Sequence, residues 1–85
     1  MSVEMVIKDL INERREKQRM YKHAVERYWE IKTRVVAPEK EAARKRILHR
    51  YVLDKKLLNE QINTLGDEIW KLQRDLVAGK TEAEV

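Results

Sequence analysis

The chain has no cysteine and no phenylalanine, one proline and two glycines in 85 residues. Without cysteine there is no disulfide, no thiolate zinc site, no iron–sulfur cluster and no thiol nucleophile. The same absence argues against a small secreted scaffold, which needs covalent staples at this length. Two glycines, neither in a phosphate-binding loop, exclude the common nucleotide-binding loops. Ser2 is the sole serine, which leaves no serine–histidine–aspartate arrangement. Long apolar runs are missing too. Stretches such as Met5-Val6-Ile7 are far short of the roughly 20 residues of a membrane span. The start, Met1-Ser2-Val3-Glu4, lacks the basic and then apolar pattern of a signal peptide. The expectation is a soluble, cytoplasmic protein of one domain without an enzyme's pocket.

What the chain does contain is charge and helix formers. Charged side chains make up 40% and apolar ones 42%. The apolar residues recur at helical spacing, which separates this composition from that of a disordered chain. Abundant Ala, Glu, Lys, Leu and Arg with little Gly or Pro is the profile of long helices.

Pro38 divides the chain. Ser2 is placed to cap a first helix, with Glu4 and Asp9 near its positive end. The apolar positions then follow a seam with a 3.5-residue repeat. One row is Ile7, Arg14, Tyr21, Tyr28 and Val35; the other is Val3, Leu10, Lys17, Ala24 and Ile31. Val6, Ile11, Met20 and Val25 widen the stripe. After Pro38 the acids Glu39 and Glu41 mark a second start. Its seam is cleaner: Leu48, Lys55, Ile62, Ile69 and Leu76 in one row, Tyr51, Leu58, Leu65 and Leu72 in the other. Sustained heptads of this kind indicate a coiled coil.

The predicted fold is all-α. An antiparallel helical hairpin spans residues 1–79, with helices at 3–36 and 39–78, a tight turn near 37–38, and a flexible tail at 80–85. The rival arrangement is one continuous helix kinked at Pro38. Gly66 leaves the heptad phase unchanged, so the second helix is read as continuous, with a close interhelical contact as one reason for a glycine there. Leu53, Leu57, Trp70 and Val77, with Trp29 and Val36, fall outside the main rows. This surplus predicts a homodimer that closes into a four-helix bundle. The expected dimer or partner interface comprises Tyr21, Tyr28, Trp29, Leu58, Ile62, Leu65, Ile69, Trp70, Leu72 and Leu76.

Charge is segregated along the chain. Residues 14–56 hold fifteen Lys and Arg against six Asp and Glu, a net +9. The remainder holds four against nine, a net −5, within an overall +4. In a hairpin the positive segment surrounds the turn. Arg27, Arg34, Arg44, Lys45, Arg46 and Arg50 form the expected basic tip. The run Glu41-Ala42-Ala43-Arg44-Lys45-Arg46, with leucine heptads after it, is superficially similar to a basic leucine zipper. Glu39 and Ile47 stand where that family requires Asn and Arg, so its base-reading residues are missing and its DNA reading does not transfer.

His23 and His49 come to a similar height in a hairpin, with Glu26 nearby. No His-Glu-x-x-His or Glu-x-x-His spacing accompanies them, so neither metal nor cofactor is expected. Paired heptad seams also argue against a membrane-surface helix, which presents a single broad apolar face. The functional expectation is a non-enzymatic interaction protein, an adaptor, scaffold or small inhibitor. It binds itself and another protein through the surplus apolar stripe and the basic tip, and takes no small-molecule substrate. The alternative is sequence-nonspecific binding of DNA or RNA by the tip through phosphate contacts.

Overall fold

The computed structural model describes the backbone of residues 2–84 and the side chains of residues 2–79. Helix α1 spans Val3–Thr33, a single 3₁₀ turn spans Pro38–Lys40, and helix α2 spans Glu41–Glu84. The two helices pack antiparallel as a hairpin, not as one kinked helix. The molecule measures 71 × 18 × 14 Å with a radius of gyration of 19.7 Å. A compact domain of this length would have a radius of gyration of about 12 Å. The chain is a rod.

Helix α1 begins as its first residues dictate. Ser2 has extended backbone angles, and its Oγ accepts from the Met5 amide at 3.2 Å. The helix ends at Thr33, three residues before the expected end at 36. Residues 34–37 connect α1 to the 3₁₀ turn, and Arg34 is in extended backbone. Ala37 is extended because it precedes proline. Val35, expected in the seam, is instead 96% exposed in this bridge. The Lys40 amide donates to the Ala37 carbonyl at 2.9 Å and closes the 3₁₀ turn, so α2 starts at 41 and not at 39.

The last carbonyls of α1 lack helical partners, as at any helix end. Arg44, one turn into α2, supplies them. Its Nη1 donates to the Arg34 carbonyl at 3.0 Å and to the Lys32 carbonyl at 3.4 Å. Its Nη2 pairs with Glu41 at 2.6 Å. Thr33 Oγ1 adds bonds to the Trp29 and Glu30 carbonyls at 2.8 and 3.3 Å. One planar side chain thus clasps both helices at the turn.

The core is the predicted seam. Ile7 and Ala24 from α1 are buried against Leu58, Ile62, Leu65 and Ile69 from α2. Among the described residues no large side chain is wholly sealed from solvent. Arg14 occupies a seam position that two packed helices would ordinarily give to an apolar residue. Its Nε donates to the Ile62 carbonyl at 3.2 Å, and its guanidinium lies across Gly66. α2 runs through Gly66 without a break, and neither glycine has positive φ. Gly79 therefore forms no left-handed cap, and α2 continues past the expected end at 78 to Glu84. The tail expected at 80–85 concerns residues whose side chains, and for Val85 the backbone too, lie outside those described. Among the described residues no helix is long and apolar enough to cross a membrane.

Two substitutions test these contacts. A Cβ at residue 66 would meet Arg14 at 3.4 Å, an ordinary contact distance. Gly66→Ala should therefore stabilise the fold by about 0.5–1 kcal/mol in urea denaturation, through helix propensity. A loss of stability would mean that the Arg14 bond depends on the open glycine. Arg44→Ala should cost about 0.5–1.5 kcal/mol, because the carbonyls at the end of α1 lose a charged donor. Arg44→Lys should recover only part, since a point charge cannot replace the planar fork. Wild-type stability in Arg44→Ala would remove the clasp from the account.

Candidate interaction surface

The hairpin seam leaves two long flanks on which residues of both helices border a groove. The larger groove has a volume of about 860 Å³. Its apolar floor is Met20 and Ala24 from α1 with Leu57 and Leu58 from α2. Its rims include Glu16, His23 and Arg27 on α1, and Asp54 and Gln61 on α2. Towards the chain ends it runs into a smaller depression of about 390 Å³ bordered by Glu13, Glu60 and Thr64. The opposite flank has a depression of about 400 Å³ where Ile11, Arg14, Gly66, Ile69 and Trp70 meet.

The predicted interface residues divide between core and surface. Leu58, Ile62, Leu65 and Ile69 are buried between the chain's own helices. Tyr21, Tyr28, Leu72 and Leu76 are half-buried along the same seam. Only Trp29 and Trp70 remain exposed, at 53% and 59%. Both carry cations from their own helix. Lys32 Nζ lies 4.9 Å from the Trp29 ring centre, and Arg74 Cζ lies 4.9 Å from that of Trp70. Tyr28 packs edge-on to Trp29 at 5.8 Å, with Lys55 Nζ 4.2 Å from its own ring. A cation thus lies over each tryptophan ring, although both residues stay more than half exposed. Of the exposed apolar residues, Met20 and Leu57 line the large groove. The heptad pattern marked these only as residues widening or leaving the stripe. Their shared flank becomes visible once the pairing of the helices is known.

The basic tip also divides. Arg44 faces inward in the clasp. Arg27 pairs with Glu30 at 3.1 Å. A side-chain hydrogen bond with Tyr51, followed by the bond and charge of Glu30, holds the Arg27 guanidinium above its ordinary pKa. Arg34, Lys45, Arg46 and Arg50 are exposed, and among the described residues their side chains have no ion-pair partner. His23 borders the large groove, whereas His49 is exposed on α2. Among the described residues no group of three or more His, Asp or Glu is placed to hold a metal ion.

No protein-family model, curated protein or solved structure matches the chain.

Proposed function

We propose that this chain is a non-enzymatic interaction protein whose unit is a homodimer of hairpins, closed as a four-helix bundle, and whose exposed cations and apolar flank receive a macromolecular partner. The observation that carries this reading is surface area. The chain exposes 7051 Å². A compact monomer of 10.2 kDa exposes about 5,300 Å². The difference, roughly 1,700 Å², exceeds the roughly 800 Å² that each partner contributes to an ordinary stable interface. A second hairpin laid along the rod covers this surface with side chains already spaced for helix packing.

The charge distribution supports an interaction role as well. The net +9 of residues 14–56 lies around the turn, and the net −5 remainder lies at the end carrying both termini. A dipolar rod selects partners and their orientation more than it adds raw affinity. Phosphate binding at the tip is the alternative, and four exposed cations favour it: Arg34, Lys45, Arg46 and Arg50. It is the weaker reading, because Arg27 and Arg44 are engaged within the hairpin. It requires an electrophoretic shift of DNA or RNA that disappears as salt rises.

Sedimentation equilibrium at micromolar concentration tests the main reading. The expected mass is twice that of the chain. A stable, strictly monomeric species at the highest concentrations would contradict it.

A further inference from the structure

Arg14 is half-buried at a seam position, between Ile7 and Tyr21 in its row. A cation there gives up hydration that an apolar side chain would not need. Two features of α2 accommodate it. The Ile62 carbonyl accepts from its Nε at 3.2 Å. Gly66 has no side chain, and a Cβ built there would stand 3.4 Å from both Nε and Nη2. The guanidinium is thus held on one edge by a hydrogen bond and rests against α2 at the glycine. Its other edge, with both Nη groups, is not used within the hairpin. Among the described residues neither Nη has a protein acceptor, and neither is sealed from solvent.

Arg14 borders the depression of about 400 Å³ on the flank opposite the large groove, and it borders neither hollow on the groove's own side. Its open edge therefore faces that depression. Arg15 adds a second cation to the lining, and Gln18 and Gln73 add side-chain amides. Ile11 and Trp70 add apolar walls. No acid lines this space. Arg15, like Arg14, has no ion-pair partner among the described residues.

We infer that this depression receives the carboxylate of an aspartate or glutamate on a partner protein, bound by both Nη groups of Arg14. The inference rests on the reading that the chain binds a partner protein, and it names the group that partner presents. A guanidinium edge and a carboxylate match in geometry, forming two parallel N–H···O bonds. The amides of Gln18 and Gln73 have donors for the lone pairs left over. Ile11 and Trp70 offer apolar contact to the residue beside the acid. Because Arg14 is already held in place, little side-chain freedom is lost when the carboxylate arrives.

A phosphate in a nucleic-acid strand suits the place less well. It stands between two sugars, so it meets an exposed cation more readily than a half-buried one recessed between two helices. Arg34, Lys45, Arg46 and Arg50 are exposed in that way. A second copy laid over the large groove would leave the opposite flank open, so self-association and carboxylate binding are compatible.

NMR titration of the isotope-labelled full chain tests the site. The Trp70 indole N–H, on the wall of the depression, reports binding in every variant, and the Arg14 Nε–H reports it in the wild type. The probes are the capped tripeptides acetyl-Leu-Glu-Leu-amide and acetyl-Leu-Gln-Leu-amide, and inorganic phosphate at matched ionic strength. The glutamate peptide should shift both resonances saturably and bind about tenfold more tightly than the glutamine peptide, since only the carboxylate forms charge-assisted bonds. Arg14→Lys should shrink that preference, because a point charge replaces the planar fork. Arg14→Met should abolish it. Methionine suits both a helix and a seam position, and circular dichroism checks that this variant keeps the fold. Equal binding of the two peptides, or a preference that survives Arg14→Met, would overturn the carboxylate site. Saturable binding of phosphate without binding of the glutamate peptide would overturn it in favour of a phosphate ligand. Sedimentation of the wild type reads the dimer separately, so a failure of self-association and a failure of this site are told apart.

Discussion

Two helices meeting along one seam hide a single stripe of each, so the chain's apolar residues divide between that stripe and the outside. Here the stripe takes Ile7, Ala24, Leu58, Ile62, Leu65 and Ile69. Everything else follows from what remains. The charged heads of Lys32 and Arg74 lie over Trp29 and Trp70, a guanidinium enters the seam beside Gly66, and Met20 and Leu57 stay open along the large groove. A small domain buries a limited share of its surface even when compact, and a rod buries less. A second copy supplies the missing burial in the proposed assembly.

The turn shows how charge is used twice. The basic run after Pro38 reads as a patch directed outward, yet Arg44 points into the molecule and bonds to carbonyls at the end of α1. The requirement is local: a helix end leaves carbonyls without donors, and a planar side chain one turn into the next helix reaches them. Lys45, Arg46 and Arg50 remain outward. In the proposed assembly they would set its direction, against the acids at the far end of the rod.

Much of the fold was legible in the residues. Ser2 as cap, Pro38 as divider, the two heptad seams and the continuity of α2 through Gly66 all follow from spacing and propensity. The end of α1 did not, because the 3.5-residue pattern continues to Val35. The helix instead gives way at Arg34 to the stretch leading into Pro38, whose ring pushes Ala37 out of the helical region. The interface prediction drew on the strongest heptad residues, and those are the ones a hairpin consumes in its own core. Leu58, Ile62, Leu65 and Ile69 follow this logic. The outer row through Leu53 and Leu57 has a weaker apolar signal, with cations at one end and an acid at the other.

The central claim is that the folded hairpin depends on covering its open flank with a second copy. The most direct test is the thermal midpoint of the full chain over a hundredfold range of concentration. Mass action stabilises a species that binds only when folded. The account predicts a midpoint that climbs steadily as concentration rises. A midpoint that stays constant across the range, with a cooperative transition throughout, would contradict it.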